Sequence, residues 1–450
     1  MDLQGKKVLV FGAGISGIGS CGLLEKEGAE VILYDGNDKK DAEAMKAQLG
    51  EGSKVRVVLG AFPEEEMESL DLVVMSPGVP TDLPVVLAMK EKGIPVWGEI
   101  ELAYVCGKGD VLGITGTNGK TTTTSLLGEI MKNARDSVFV VGNIGTPYTN
   151  AAADTREDSV IVAELSSFQL ESIHTFHPKV SAVLNITPDH LDRHKTMEAY
   201  AEAKFNVTKN QTADDFVILN FDDERLREFA KRCTSHVLWF GRVNKPDTGY
   251  YYKDRVIYRI YEDREEEILN VDDINLIGDH NYENVMAALA IAEAAGVPSD
   301  ITIDVTKNFH AVEHRIEKVD TIDGVVYYND SKGTNTDASI KAIKAMSRPT
   351  LLIAGGYDKN SPYDDFIESF DGKIKELVLI GATAEKIKAC ALEHGFTNIK
   401  MADSLEEAVS ICKADSENGD AVLLSPACAS WDMFKSYEQR GRLFKDLVKG

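Results

Sequence analysis

Residues 111–126 read VLGITGTNGKTTTTSL, in which a short apolar run leads into a glycine-rich loop and then into a helix-forming segment. A strict Walker A pattern, G-x-x-x-x-G-K-[ST], would need glycine at position 114, where Ile114 stands. Isoleucine at this position does not prevent phosphate binding. Backbone N–H groups still surround the phosphates, Lys120 reaches the β- and γ-phosphates, and Thr121 offers a hydroxyl to Mg²⁺. The segment therefore predicts a nucleotide phosphate site on a strand–loop–helix unit.

Short β-branched runs recur along the chain and alternate with segments of helical periodicity. The runs are 8–11, 31–34, 72–75, 111–115, 138–141, 160–165, 180–186, 216–220, 350–356, 377–381 and 421–426. This alternation predicts an α/β protein with parallel sheets that helices cover on both faces. Three segments begin as nucleotide-binding domains do: the strand and glycine turn at residue 8, the glycine-rich loop after Val111, and the strands that follow a probable hairpin at 316–330. They predict three domains, at 1–98, 99–311 and 312–450. We expect the first and third to be Rossmann-like and the central one to be a P-loop-type mononucleotide-binding domain.

Two segments break the parallel pattern. Residues 249–271 are rich in tyrosine and alternate, which predicts antiparallel strands at the edge of the central domain. Residues 316–330 predict a hairpin, because Asp323-Gly324 suits a tight turn.

A second glycine-rich turn, GAGISG at 12–17, follows the first strand and opens a helix. Asp35 lies at the end of the next strand, 18 residues beyond Gly17. This is the dinucleotide-binding fingerprint, in which the helix N-terminus meets a diphosphate and the acid accepts ribose hydroxyls. Taken alone it suggests an NAD enzyme, although any nucleotide diphosphate satisfies the same donors and a purely structural turn is an alternative.

The composition excludes several classes of protein. With 49 Lys and Arg against 73 Asp and Glu, the 450-residue chain carries a net charge of −24 and has no basic run, which argues against a nucleic-acid partner. The six cysteines show no C-x-x-C pair and no zinc-type Cys/His spacing, so we expect reduced thiols in a cytoplasmic protein. No apolar run approaches the roughly 18 residues of a membrane-spanning helix, so we expect no membrane span. We also expect the protein to be a monomer.

Eight motifs, in order along the chain, resemble the Mur ligase family of bacterial peptidoglycan synthesis. They are TGTNGKTTT (115–123), GNIG (142–145), ELSSFQLE (164–171), NITPDHLDRH (185–194), GDHNYEN (278–284), HRIE (314–317), NDSKGTN (329–335) and SPACASWDMF (425–434). The last three and the compact first domain resemble the branch that adds D-glutamate. Folylpolyglutamate synthases share the central loop but resemble neither this first domain nor the C-terminal motifs.

The resemblance implies an ATP-dependent ligase that adds D-glutamate to UDP-N-acetylmuramoyl-L-alanine and serves cell wall biogenesis, cell shape and cell division. In the family reaction a carboxylate takes the γ-phosphoryl group of ATP, and an amine then displaces phosphate from the acyl phosphate. Two anions must meet in that reaction, so cations such as Lys120 and Mg²⁺ have to neutralise them.

The resemblance also assigns residues, which we group by function. The catalytic group is Lys120, His190, Lys204, Arg315 and Lys332. ATP contacts are Gly116, Thr117, Asn118, Gly119, Lys120, Thr121, Thr122, Asn281, Asn284, Arg315 and Asp330. UDP-substrate contacts are Gly14, Ile15, Ser16, Asp35, Ser76, Pro77, Gly78, Asn143, Ser166 and Ser167. D-glutamate contacts are Lys332, Thr334, Lys359, Ser425 and Phe434, and metal ligands are Thr121, Glu164, His190 and Lys204.

Several of these residues have ordinary alternatives. His190 is implied to bind a second Mg²⁺ or the reacting carboxylate, but a loop histidine can equally be satisfied by nearby backbone. Lys204 matches the lysine that the family carries as a carbamate; without the family it would be a solvated helical lysine. Asn281 also suits a helix cap, and Cys428 is expected to be a buried small residue and not a nucleophile.

Two functions from other classes remain open at this stage. A nicotinamide oxidoreductase is supported by GAGISG and Asp35 but leaves TGTNGKT without a role. A nucleotide-binding regulator without catalytic activity leaves Glu164, His190 and Lys204 without a role.

Overall fold

The computed structural model describes residues 2–261, 264–310, 313–358 and 361–450. The chain forms two compact units, one of residues 1–271 with 283–306 and the other of residues 272–282 with 307–450. The first unit contains two sheets and the second contains one. No helix within the described ranges is long and apolar enough to cross a membrane.

The first sheet is parallel throughout and has the strand order β3-β2-β1-β4-β5. Its strands are β1 (Lys7–Phe11), β2 (Glu30–Asp35), β3 (Arg56–Leu59), β4 (Leu72–Met75) and β5 (Val96–Gly98). Its helices are α1 (Ile15–Lys26), α2 (Ala42–Leu49), α3 (Glu64–Met67) and α4 (Pro84–Glu91), and α5 (Glu99–Cys106) follows. The order reverses at β1, so the residues that follow β1 and β4 meet at a ligand-binding position typical of Rossmann-like sheets.

The second sheet has nine strands in the order β14-β13-β12-β11-β10-β9-β6-β8-β7. The strands are β6 (Asp110–Thr115), β7 (Val138–Gly142), β8 (Val160–Glu164), β9 (Val180–Val183), β10 (Phe216–Asn220), β11 (His236–Gly241), β12 (Gly249–Lys253), β13 (Val256–Tyr261) and β14 (Arg264–Asn270). The helices are α6 (Lys120–Ala134), α7 (Tyr148–Ala152), α8 (Ser167–Leu170), α9 (Leu191–His194), α10 (Met197–Phe205), α11 (Glu224–Ala230), α12 (Asp279–Ala294) and α13 (Ser299–Asn308). Two 3₁₀ turns, Asn206–Thr208 and Val271–Asp273, complete this part.

The third sheet has the order β15-β16-β20-β17-β18-β19 and is parallel except for β15. Its strands are β15 (Glu317–Ile322), β16 (Val325–Asn329), β17 (Thr350–Ala354), β18 (Ile374–Leu379), β19 (Ile399–Met401) and β20 (Ala421–Leu424). Its helices are α14 (Thr336–Ala345), α15 (Asp364–Glu368), α16 (Ala384–Glu393), α17 (Leu405–Asp415) and α18 (Tyr437–Lys449).

The α/β class is confirmed: every predicted run overlaps a strand, and strands alternate with helices along the chain. The antiparallel edge is confirmed as β12–β14. The predicted hairpin is β15–β16, with positive φ at both Asp323 (51°) and Gly324 (82°). Lys204 lies in a helix, as expected: α10 ends at Phe205 and a 3₁₀ turn follows.

The first two sheets share one hydrophobic core. Helix α1 packs on α5 and α7, and the same buried cluster contains Leu24 of α1, Leu102 of α5 and Tyr148 of α7. Continuous packing explains why both sheets form one compact unit. The domain boundaries near residues 98 and 311 stay predictions, and residue 311 lies outside the described residues.

The six cysteines carry free thiols, as the sequence predicts.

Candidate active site

The turn after β1 can be built only with glycine at two positions. Gly12 has φ +99°, and a Cβ on Gly17 would lie 1.9 Å from the carbonyl oxygen of Gly12. A Cβ on Gly14, by contrast, would meet no atom within 4 Å, and the side chain of Ile15 is 72% exposed. The N-terminus of α1 therefore faces open space at Gly14 and Ile15, where backbone N–H groups can meet an anion.

Asp35 supports this turn from the end of β2. Its Oδ2 accepts hydrogen bonds from the backbone N–H of Ala13 (3.0 Å) and from Lys40 Nζ (2.7 Å), and its Oδ1 accepts from the N–H of Asn37 (3.0 Å). Burial favours the neutral carboxyl, but these donors and the charge of Lys40 hold the pKa of Asp35 below its usual value. The carboxylate expected at a ribose already has three protein donors, so its contact with ribose stays a prediction.

Residues 76–78 follow β4 and lie beside the same turn. Ser76 Oγ donates to the carbonyl oxygen of Gly12 at 2.8 Å, and a Cβ on Gly78 would meet no atom within 4 Å. The carbonyl oxygen of Pro77 accepts a hydrogen bond from Arg193 at 3.3 Å. The segment therefore lines the carboxyl end of the first sheet and connects it to the central part of the unit.

Arg193 is a residue that sequence reasoning missed. Its guanidinium also donates to the carbonyl oxygen of Val79 (3.4 Å), pairs with Glu171 (2.7 Å) and lies over the ring of Phe168 (4.3 Å). Arg193 therefore contacts both the segment that follows β4 and the residues in and after α8. The only available signal was its place within NITPDHLDRH, which does not distinguish it from a surface arginine.

The glycine-rich loop after β6 has two backbone positions that require glycine. Gly116 has φ +144° and Gly119 has φ +87°, and a Cβ on Gly119 would lie 2.1 Å from Asn284 Oδ1. Asn284, a predicted ATP contact, therefore lies against the phosphate loop. Thr121 and Thr122 stand in the first turn of α6, with Thr122 buried.

The loop is held in place by residues that follow β9. The N–H groups of Thr117 and Asn118 donate to the backbone and side-chain oxygens of Asn185 at 2.9 and 2.8 Å. The hydroxyl of Thr117 lies 3.1 Å from both Tyr200 Oη and the carbonyl oxygen of Thr187. Asn185 and Thr187 belong to the NITPDH motif, so the motif was visible in the sequence but this function was not.

Two lysines converge on the same loop. Lys120 Nζ donates to the carbonyl oxygens of Gly116 and Thr117, each at 2.9 Å, and Lys204 Nζ donates to that of Gly116 at 2.8 Å. Lys204 is only 2% exposed. Burial, followed by repulsion from Lys120, lowers the pKa of Lys204 to about 7. The structure therefore does not support the alternative that Lys204 is a solvated helical lysine.

Glu164 is the last residue of β8 and lies beside Ile114 of β6 in the sheet register. Its carboxylate is buried, and Oε1 accepts a hydrogen bond from Asn143 Nδ2 at 2.8 Å. The second oxygen, Oε2, is buried and has no hydrogen-bond partner among the residues that the structure describes. A buried carboxylate oxygen left without a donor is costly unless a cation or ligand satisfies it, so this oxygen fits a metal ion at the loop.

His190 precedes α9 in the left-handed conformation, with φ 51°. Its Nε2 lies 3.4 Å from Asp189 Oδ2, and its ring packs on Phe168 with centroids 4.9 Å apart. The side chain is 51% exposed, so one face of the imidazole is available to a ligand.

Ser166 and Ser167 have local partners. Ser166 caps α8 in a reciprocal arrangement with Gln169, and Ser167 Oγ lies 3.0 Å from His194 Nε2. These contacts explain why both serines occur at the start of a short helix. Their contact with the UDP-substrate stays a prediction.

The second unit brings Asp330 and Ser425 together across 95 residues of sequence. Ser425 Oγ lies 2.7 Å from Asp330 Oδ2, and the N–H of Ile316 donates to Asp330 Oδ1 at 3.2 Å. Burial raises the pKa of Asp330 to about 7, although Ser425 and the charge of Arg315 oppose the shift. The buried Nε of Arg315 has no hydrogen-bond partner within the described ranges.

The remaining predicted residues of the second unit lie around the same loops. The N–H of Lys332 donates to the carbonyl oxygen of His314 at 2.9 Å, and that of Thr334 donates to Lys332 at 2.9 Å. Phe434 is partly buried against the core behind β20. Asn281 is the third residue of α12 and so does not occupy the N-cap position, and its Nδ2 donates to the carbonyl oxygen of Ile277 at 2.7 Å. Lys359 lies outside the described residues.

Arg440, which sequence reasoning also missed, organises these loops from α18. Its buried guanidinium donates to Ser331 Oγ (3.0 Å) and to the carbonyl oxygens of Ser331 (2.9 Å) and Cys428 (3.2 Å). Burial lowers the pKa of Arg440 to about 10. Cys428 itself is buried, as expected.

Matches to known families cover most of the chain. Residues 6–98 match the Mur ligase MurD-like N-terminal domain, residues 114–292 the Mur ligase middle domain, and residues 314–428 the Mur ligase glutamate ligase domain. These three segments contain the glycine turn, the phosphate loop with Glu164, and the Asp330 loops.

Full-length relatives share about half of the sequence. A protein of Lachnospira eligens named "UDP-N-acetylmuramoylalanine--D-glutamate ligase" is 55% identical over 448 residues, which cover 100% of this chain and 99% of the relative. A protein of the same name from Clostridioides difficile is 48% identical over 449 residues, with the same coverage.

Solved structures agree at the level of the fold. UDP-N-acetylmuramate-alanine ligase MurC from Thermotoga maritima superposes with a TM-score of 0.59 at 18% identity and covers 99% of both chains. The MurF ligase of Thermotoga maritima, solved with ADP, gives a TM-score of 0.59 at 17% identity, covering 93% of this chain and 95% of that one.

Proposed function

This chain belongs to the Mur ligase family, and we infer that it is the ligase that joins D-glutamate to UDP-N-acetylmuramoyl-L-alanine at the expense of ATP. The observation that carries this function is identity of 45–55% over the full length to relatives that bear the name of that enzyme. Family membership also gives a role to features that the alternatives leave unexplained. The oxidoreductase leaves the phosphate loop without a role, and the regulator leaves Glu164, His190 and Lys204 without one.

The phosphate loop performs the first step by holding ATP and neutralising its charge. We expect backbone N–H groups in the first turn of α6 to donate to the phosphates and Lys120 to supply a positive charge. The N–H groups of Thr117 and Asn118 already donate to Asn185 and hold the loop in shape. In our proposal the carboxylate of UDP-N-acetylmuramoyl-L-alanine attacks the γ-phosphorus, the bond to the β-phosphate oxygen breaks, and an acyl phosphate and ADP form. The amine of D-glutamate then attacks the acyl carbon, and inorganic phosphate leaves with the bonding electrons.

We propose that Mg²⁺ is held near the loop by Glu164 and Thr121, and that His190 and Lys204 serve a second ion. The unpartnered Oε2 of Glu164 and the hydroxyl at the start of α6 are hard oxygen donors of the kind that Mg²⁺ prefers. When bound, the ion would neutralise the phosphate oxygens. Asn143 fixes the orientation of Glu164 through its 2.8 Å hydrogen bond.

We propose that Lys204 acts as a carbamate. Its Nζ is buried beside the loop and close enough to Lys120 for repulsion to lower its pKa, so a second ammonium is poorly placed there. Addition of the amine nitrogen to CO₂ with loss of one proton gives an anion with oxygen donors. That anion complements both Lys120 and a nearby cation.

We assign residues of the second unit to the binding of D-glutamate and of ATP. Lys332, Thr334, Ser425 and Phe434 lie on its loops, and Lys359 is assigned from the sequence alone. Asp330 and Arg315 are assigned to ATP. The buried Nε of Arg315 lacks a hydrogen-bond partner within the described ranges, which supports its assignment as a donor to an anionic ligand.

We further propose a cytoplasmic location, a monomeric state and a role in cell division. The free thiols and the reaction class support the first, and the family's place in peptidoglycan synthesis supports the last.

The choice of amino acid tests the prediction that D-glutamate is the amine substrate. The protein should use D-glutamate with a kcat/KM about 10⁴-fold above that for D-alanine, because a site built for the second carboxylate leaves charged groups unpaired when that carboxylate is missing. Steady-state phosphate release with each amino acid measures the ratio. Comparable kcat/KM values would rule out a D-glutamate site.

The open space at Gly14 gives a prediction for the UDP-substrate. Gly14→Leu should raise the KM for UDP-N-acetylmuramoyl-L-alanine at least about tenfold, equivalent to roughly 1.4 kcal/mol, and leave the KM for ATP unchanged. Gly22→Leu is the matched control, since Gly22 lies within α1, the helix that Gly14 precedes as N-cap, and its Cβ would also meet no atom within 4 Å. Equal effects of the two variants, or tight NAD binding by calorimetry, would contradict the assignment.

A further inference from the structure

A cluster of possible metal ligands lies on two neighbouring helices of the second unit. Cys390 of α16 and His394 are four residues apart, and the N–H of His394 donates to the carbonyl oxygen of Cys390 at 3.1 Å. The helical turn thus continues through His394 and places both side chains on one face. Asp364 and Glu368 stand four residues apart on α15, the helix packed against α16.

The side chains of the two helices converge. One ligand atom each from Asp364, Cys390 and His394 lies within 4.8 Å of the other two. His394 Nε2 is 3.1 Å from Asp364 Oδ1, and His394 Nδ1 is 3.8 Å from Glu368 Oε1. Each nitrogen of the imidazole therefore faces a carboxylate.

We propose that Cys390 Sγ, His394 Nε2 and an Asp364 carboxylate oxygen bind Zn²⁺, and that Glu368 orients the imidazole through Nδ1. A thiolate and an imidazole select zinc over Mg²⁺, and three protein ligands leave the fourth tetrahedral position to water. A carboxylate on the second nitrogen is the usual partner of a zinc-bound histidine. The site would fasten α15 to α16.

The distances suit this ion after a small movement of one side chain. Zinc bonds of about 2.0–2.3 Å place tetrahedral ligand atoms roughly 3.3–3.8 Å apart. The histidine and aspartate atoms already lie close to that separation, and Cys390 Sγ lies within 4.8 Å of both, so a small change of its side chain brings it into the same range. A Cys-x-x-x-His pair on one helix completed by a carboxylate from another is not the zinc spacing that a sequence scan detects.

Titration of the full-length protein with Co²⁺ tests the site. Cobalt bound by a thiolate gives an intense sulfur-to-metal absorption in the near ultraviolet, and we expect it to saturate at one equivalent and to disappear when Zn²⁺ is added. The magnesium site proposed at the phosphate loop contains no cysteine, so it cannot produce this band. Absence of the band in the wild-type protein would overturn the proposal.

Variants assign the ligands. Cys390→Ser should abolish the band, whereas Cys233→Ser, which changes another partly buried thiol in the other unit, should leave it intact. Glu368→Gln should keep the band and weaken Co²⁺ binding by about 10- to 100-fold. If Cys390→Ser does not fold, loss of the band in His394→Ala supports the site. A band that survives either ligand variant would contradict it.

Discussion

Lys204→Ala is expected to lose most of the ligase activity and to recover part of it when formate or acetate is added. An ammonium about 4 Å from another positive charge costs on the order of 4 kcal/mol at an effective dielectric constant near 20, and conversion to a carbamate reverses the sign of that interaction. Because the missing group is a carboxylate-like anion, a small carboxylate should restore function. Phosphate release measured against carboxylate concentration gives the extent of rescue.

Two controls separate this explanation from a general loss of structure. An amine of similar size, such as methylamine, should not rescue Lys204→Ala. Lys209→Ala should remain active, because Lys209 lies in the next turn and its Nζ bonds the carbonyl oxygen of Ile173 at 3.1 Å, away from the loop. Full activity of Lys204→Ala, or rescue by the amine and not by the carboxylate, would contradict the carbamate.

Glu164→Gln should reduce kcat by about 10²- to 10³-fold, the usual cost of removing one preorganised electrostatic contact. The glutamine oxygen can still accept from Asn143 Nδ2, and its amide replaces the unpartnered Oε2, so the fold is retained while the charge is lost. The Mg²⁺ concentration for half-maximal activity should rise as well, which a merely structural change would not produce. Activity measured across a Mg²⁺ series reports both effects.

Glu99→Gln is a matched control for that substitution. Glu99 is also buried, accepts hydrogen bonds from Thr149 and leaves one oxygen without a partner among the described residues, but it lies at the start of α5 and not at the phosphate loop. It should retain wild-type activity and Mg²⁺ dependence. If the two variants behaved alike, the charge of Glu164 would not be the cause.

The sequence predicted the fold where local patterns suffice. Buried parallel strands read as β-branched runs, and the turns at Gly12 and Gly119 require backbone conformations or close approaches that only glycine permits. Strands β3, β5, β11 and β19 were not predicted. β5 and β19 have only three residues each, too few to form a recognisable pattern. Strand ends were overestimated where apolar residues continue into the following loop, as after β9.

The site was predictable in its residue types but not in its internal contacts. The sequence places Glu164 at a strand end, yet it cannot show that Asn143 satisfies only one of its oxygens. Nor can it show that Asp35 supports the glycine turn, or that Arg440 joins the loops around Ser331. These contacts depend on pairs of residues far apart in the chain, which a single sequence does not relate.

Inorganic phosphate release from ATP, measured with UDP-N-acetylmuramoyl-L-alanine and a panel of amino acids, tests the central claim most directly. We expect release only when the UDP-substrate and D-glutamate are both present, with the amide product formed in equal amount. Release without D-glutamate, a preference for another amino acid, or no release with the complete mixture would contradict the assignment of this chain as the D-glutamate-adding ligase.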